Sequence, residues 1–192
     1  MNRLLIVILA ACAMWLAGLP ASAADAPLPR DSIYQLPVQL TDQAGRTYEW
    51  STLRGKPRLV AMFYTSCQYI CPLIVDSGKA IEKQLAPAER DRIGIVLISM
   101  DPARDNPAAL MEVVEKRHLD TGRWTLASPP AGYVRSVAGV LGIRYRGLAD
   151  GEFNHTSALV LLDADGRILG RTEQVGSQPD PAFLAEVKRA LR

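Results

Sequence analysis

The chain has 192 residues, 48% of them apolar, with 22 basic side chains against 20 acidic ones. That is enough apolar material for one globular domain with a sizeable core. The charges nearly cancel and lie scattered, so no basic patch invites nucleic acid, which is excluded as the expected partner.

Residues 1–23 read as a signal peptide rather than as part of that domain. Asn2-Arg3 is a short polar, positive start, Leu4 to Leu19 is apolar, Pro20 breaks the run, and Ala21-Ser22-Ala23 has the small-x-small form of a signal-peptidase site. Cleavage after Ala23 and export to a periplasmic location are expected. Two other readings stay open. One is an uncleaved anchor, although the apolar run falls short of the ~20 residues that span hydrocarbon. The other is a lipoprotein-type box at Leu9-Ala10-Ala11-Cys12, where Cys12 comes early and inside the apolar run. Contact with a membrane is expected only through a retained leader or a membrane-bound client.

Residues 24–37, with Pro27 and Pro29, read as an extended leader to a domain covering 38–192. Val38 to Thr41 alternates as a strand does, Asp42-Gln43-Ala44-Gly45 turns, and Thr47 to Trp50 returns, giving an N-terminal β-hairpin. A loop then feeds a buried strand, Arg58 to Tyr64. Next comes Tyr64-Thr65-Ser66-Cys67-Gln68-Tyr69-Ile70-Cys71-Pro72, a passage from strand to helix with two thiols at the junction. Pro72 suits the first turn of a helix. Ile74, Gly78, Ile81 and Leu85 recur at helical spacing, and Pro87 marks the end.

Ile93 to Ile98 is a continuous apolar run, the pattern of a strand covered on both faces. Asn106-Pro107 supplies an N-cap and a proline at the first position of a helix reaching about Arg117. Trp124 to Ala127 is a short strand, Gly132 to Leu141 a short helix ended by Gly142, and Ile143 to Arg146 another short strand. Ser157 to Leu162 and Arg167 to Arg171 pair about the turn Asp163-Ala164-Asp165-Gly166, and an amphipathic helix from Pro179 to Leu191 closes the chain. This order predicts an α/β sandwich with parallel central strands and an antiparallel hairpin at one side.

Loss of Cys12 with the signal leaves Cys67 and Cys71. Two cysteines so close are not a disulfide framework, and a bridge closing so short a loop adds little stability. At a helix N-terminus the positive end of the dipole favours the thiolate, which is both nucleophile and metal ligand. Residues i and i+4 lie one turn apart, so both sulfurs can face one ion or close a disulfide after local rearrangement. Dithiol oxidoreductases usually place two residues between the cysteines, and here there are three. Two thiolates alone do not complete a metal site. Soft sulfur ligands favour copper(I) or zinc, and an imidazole suits both as third ligand.

The chain has two histidines. His118 falls at the C-terminal end of a helix, where an imidazolium complements the dipole. His155 follows Gly151-Glu152-Phe153-Asn154 in a loop just before an apolar strand, at a sheet edge where loops converge on the cysteine motif. It is the candidate third ligand, with a plain surface role as the alternative.

The residues Phe63-Tyr64-Thr65-Ser66-Cys67 … Cys71-Pro72, Ser99-Met100-Asp101-Pro102-Ala103-Arg104-Asp105 and Asn154-His155-Thr156 … Leu162-Asp163-Ala164-Asp165-Gly166-Arg167 together resemble the Sco/SenC family. The resemblance runs from about Val38 to the last helix. It implies a thioredoxin-like fold and a copper site, Cu(I) or Cu(II), with Cys67, Cys71 and His155 as ligands. It also implies a role in building the binuclear copper centre of cytochrome c oxidase. Implied partners are a copper-receiving oxidase subunit, another copper chaperone or a thiol reductant. Family members often carry a proline and an acidic residue between the cysteines, whereas this chain has Gln68, Tyr69 and Ile70. A less polar pocket would favour copper(I) over copper(II). The Asp101–Asp105 loop reads as a structural turn, with Asp101 its one candidate for support of the site.

Two functions follow. Copper carriage needs all three ligands. A thiol–disulfide oxidoreductase would use Cys67 to attack and Cys71 to resolve, and would tolerate loss of His155. No proline lies between Pro130 and Pro179, so the proline that faces the dithiol in thioredoxin-like reductases is missing, and His155 stands in that region instead. That favours the metal.

Overall fold

The computed structural model describes residues 27–67 and 70–192, and at Ile70 and Cys71 the backbone alone. The expected signal segment, Cys12, and Gln68 and Tyr69 of the cysteine motif lie outside the described residues. No described helix is long and apolar enough to cross a membrane.

Three parallel strands make the centre: β3 (Arg58–Phe63), β4 (Gly94–Ser99) and β5 (Trp124–Ser128), with β4 in the middle. Every residue of β4 is buried, so both of its faces are covered, as its unbroken apolar run requires. Hairpins extend the sheet on both sides. β1 (Gln39–Asp42) and β2 (Thr47–Glu49) join antiparallel to β5, and β8 (Leu159–Leu162) and β9 (Ile168–Thr172) join antiparallel to β3. The order is β2-β1-β5-β4-β3-β8-β9. Trp50, expected in the returning strand, instead opens a 3-10 turn at Trp50–Leu53 and is fully buried there.

The helices are α1 (Ile70–Lys83), the single turn α2 (Pro87–Arg90), α3 (Pro107–Arg117), α4 (Val134–Val140) and α5 (Pro181–Ala190). Asn106 caps α3 by accepting from the Ala109 N–H at 3.0 Å, with Pro107 at the first position. Gly78 lets α1 sit directly on the Trp124 ring, because a Cβ there would collide with it.

Within the stretch expected to be an extended leader, Ile33–Gln35 forms a 3-10 turn, and Ile33 and Tyr34 are buried in the core. The Ser32 hydroxyl donates to the Asp165 carbonyl at 2.5 Å, and the Ile33 N–H to that of Gly166 at 2.9 Å. This clasp explains Gly166: its φ is +81°, and the Tyr34 ring fills the space a Cβ would need.

The short strand expected at Ile143 to Arg146 appears as β6 (Tyr145–Gly147), and its partner strand, β7 (Phe153–His155), was not anticipated. The two form their own antiparallel ribbon, not bonded into the main sheet.

Candidate metal centre

β3 ends at Phe63, and the chain turns at once, with the Cys67 N–H reaching the Tyr64 carbonyl at 3.3 Å. Asp105 fixes this turn. Its carboxylate accepts from the Thr65 N–H at 3.1 Å, the Thr65 hydroxyl at 2.6 Å and the Ser99 hydroxyl at 2.5 Å. Burial raises the Asp105 pKa above the ordinary carboxylate value, and those donors offset part of the rise. Cys67 is buried at the end of the turn, and Cys71 is the second residue of α1. A cleft of roughly 480 Å³ opens beside Cys67, between Phe63, Pro72 and Val113, with Lys116 and Arg117 also lining it.

His155 is the last residue of β7, paired with Tyr145, and not a loop residue as expected. The strand is only three residues long, half polar and without alternation, so nothing in its pattern announces it. The imidazole Nδ1 lies 3.2 Å from the Thr156 carbonyl. A carbonyl only accepts, so Nδ1 carries the proton and Nε2 keeps its lone pair. That Nε2 is buried and has no hydrogen-bond partner among the described residues. Burial also lowers the His155 pKa, which holds the ring neutral at pH 7.

Tyr64 stands between the two halves. Its ring meets His155 at 6.0 Å and Phe153 at 5.1 Å between centroids, both edge-on. Its hydroxyl donates to the Glu152 carboxylate at 2.7 Å and also engages Cys67. The phenol pKa is raised, first by burial and then by those two hydrogen bonds. The fold thus brings both Cys67 and His155 against one aromatic side chain. Among the described residues, no three His, Cys, Asp or Glu side chains gather as a metal cluster. The backbone places Cys71 in the first turn of α1.

A family model described as SCO1/SenC matches residues 28–192. The chain belongs to the SCO1/SenC family. The SCO1 protein homolog of Bacillus subtilis (strain 168) is 25% identical over 160 residues, covering 80% of this chain and 81% of its own. ScoI of Bradyrhizobium japonicum, solved with copper bound, is 26% identical with a TM-score of 0.65, covering 80% of this chain and 97% of that one. BsSco, a member of the Sco family of cytochrome c oxidase assembly proteins in which a disulfide switch was identified, matches with a TM-score of 0.67 at 23% identity. It covers 81% of this chain and 91% of that one. The thioredoxin-like α/β sandwich expected from the resemblance is the fold of this SCO1/SenC chain.

Two other sequence candidates find structural places. His118 is exposed and caps α3 in the left-handed conformation, φ +50°, with the Leu119 N–H closing onto the Val114 carbonyl at 2.9 Å. In the SCO1/SenC loop from Asp101 to Asp105, the residue that supports the cysteine turn is Asp105 and not Asp101. Asp101 pairs with Arg104, whose guanidinium also donates to the Gly151 carbonyl at 2.6 Å. Sequence reasoning missed Tyr64 and Glu152 altogether. Tyr64 carried a signal in its place beside the motif, but Glu152 carried none.

Proposed function

We propose that this protein binds copper through Cys67, Cys71 and His155 and carries it as cargo to a receiving protein. Its client in this reading is the binuclear copper centre of cytochrome c oxidase during assembly. The observation that carries the reading is the His155 Nε2, a neutral imidazole lone pair held out of water with no hydrogen-bond partner among the described residues. An unpaired buried polar atom costs free energy, and a soft metal ion beside Cys67 would take up that lone pair. The copper bound by the Bradyrhizobium ScoI relative points to the same ion.

Two thiolates and one imidazole make a low-coordinate site suited to copper(I). Thiols of a receiving protein can displace such ligands one at a time, so transfer needs no catalytic base. A second copper chaperone or a thiol reductant would load or reset the site. Residues 1–23 serve as the export signal, which places this work in the periplasm.

Copper titration of the reduced protein tests the reading, with wild type set against His155→Ala and Cys67→Ser. About one copper per chain is expected, with affinity lost in both variants. If His155→Ala binds copper as wild type does, the three-ligand site falls. The thiol–disulfide reaction, in which Cys67 attacks and Cys71 resolves, is then the function that remains.

A further inference from the structure

The ribbon that carries His155 is not hydrogen-bonded into the main sheet. Its own ladder is short: three residue pairs, extended by the Thr156 N–H to the Arg144 carbonyl at 2.8 Å and closed by the Leu148 N–H to the Glu152 carbonyl at 2.7 Å. A two-stranded ribbon of this size does not hold itself in place in water. Its seat against the cysteine turn must come from tertiary contacts, and among the described residues two polar ones reach it. Arg104 reaches the Gly151 carbonyl at the ribbon's turn. Tyr64 reaches the Glu152 carboxylate at 2.7 Å, and its oxygen lies 3.5 Å from the Phe153 N–H.

Tyr64 differs from Arg104 in where it stands. It is buried, at 3% exposure, and is joined to the Cys67 loop through the chain and through its contact with Cys67. The hydrogen bond to Glu152 has a carboxylate acceptor and is part-buried, a stronger kind than one between neutral groups.

We propose that the Tyr64 hydroxyl is a positioning group: by holding Glu152 it seats the β6–β7 ribbon on the Cys67 turn and sets the reach of His155 toward the thiols. The part of this concerning metal rests on the copper reading above, while the seating of the ribbon stands by itself.

Tyr64→Phe removes the hydroxyl and keeps the ring that packs on Phe153 and His155. Amide hydrogen exchange of the whole protein is the primary measurement. Exchange across residues 145–155 should rise by about tenfold or more in Tyr64→Phe, the loss expected for one hydrogen bond to a charged group. Amides of β3, β4 and β5 should exchange as in wild type. Glu152→Ala should do the same, the double variant no more than either alone, and Glu152→Gln, which still offers a neutral acceptor oxygen, should keep part of the wild-type protection. Copper(I) affinity, measured by competition with a chelator, should fall about tenfold in Tyr64→Phe with one copper per chain retained. Unchanged exchange in 145–155 overturns the proposal, as does an equal rise throughout the central sheet, which would make Tyr64 a general packing residue. Loss of copper affinity in His155→Ala but none in Tyr64→Phe also overturns it and leaves the copper reading standing. If His155→Ala binds as wild type, the copper reading fails, and the exchange data decide the seating of the ribbon.

Discussion

Burying a neutral imidazole with one nitrogen satisfied and the other bare is a costly use of a histidine. Its effect on pH dependence has a definite sign. Burial lowers the folded-state pKa of His155 below the ordinary ~6.5 that it regains on unfolding. The stability this gives is full above the unfolded value and is lost as pH falls through the folded one, because unfolding then takes up a proton. Urea unfolding of the metal-free protein between pH 7.5 and 5, compared with His155→Gln, should show the wild-type advantage shrinking as pH falls. A difference that is flat or grows toward acid would show that the ring is not buried neutral. His155 could be singled out from sequence because the chain has so few candidates for a third ligand. Its surroundings could not, since Tyr64 and Glu152 are 88 positions apart and only the fold joins them. Asp101 was the candidate from sequence, yet Asp105 holds the turn, for the same reason: which carboxylate reaches Thr65 depends on how the loop after β4 turns back.

Elements with long or strongly periodic patterns were legible, and the cysteine helix shows why. Its apolar face at Ile74, Gly78, Ile81 and Leu85 names the side that meets the sheet, but not that Gly78 is there for close approach. The Trp124 ring occupies the space a side chain would need, and it cannot withdraw easily. It is 1% exposed, and its Nε1 donates to Glu82 of the same helix at 2.8 Å. Gly78→Ala gains about 1 kcal/mol of helix propensity but overpacks a fixed ring, which costs about 1–3 kcal/mol. Net destabilisation is expected, seen as a lower urea midpoint with unchanged slope. Gly139→Ala in α4 is the control, since a Cβ there meets nothing within 4 Å. It should stabilise by about 0.5–1 kcal/mol. If both variants shift the same way, the close contact of α1 with β5 is not what Gly78 serves. In the ribbon, β6 was legible as a short strand at Ile143 to Arg146, while β7 lies at the other extreme, too short and too polar for any periodicity to show.

At the scale of the whole molecule, the candidate site joins two parts that the fold builds separately. Cys67 and Cys71 belong to the β3–α1 junction of the main sheet, and His155 belongs to the ribbon. The α/β order and the parallel centre were readable from the chain, because buried strands and capped helices carry local signals. How the ribbon docks was not, because it depends on contacts between distant residues. A copper ion held by all three ligands would tie ribbon to sheet and bind only the folded state, so loading should raise thermal stability. At a free copper(I) concentration 100 times the dissociation constant, the gain is about 2.7 kcal/mol. For a domain of this size that corresponds to a rise in Tm of roughly 5–10 °C. Thermal unfolding of the reduced protein, with copper(I) buffered by a chelator, measures it. At that same buffered copper concentration the shift should be much smaller in His155→Ala, because an ion held only by Cys67 and Cys71 closes a local loop and leaves the ribbon untied. Equal shifts in both proteins would mean that copper sits on the cysteine turn alone, and that His155 lies beside the site without closing it.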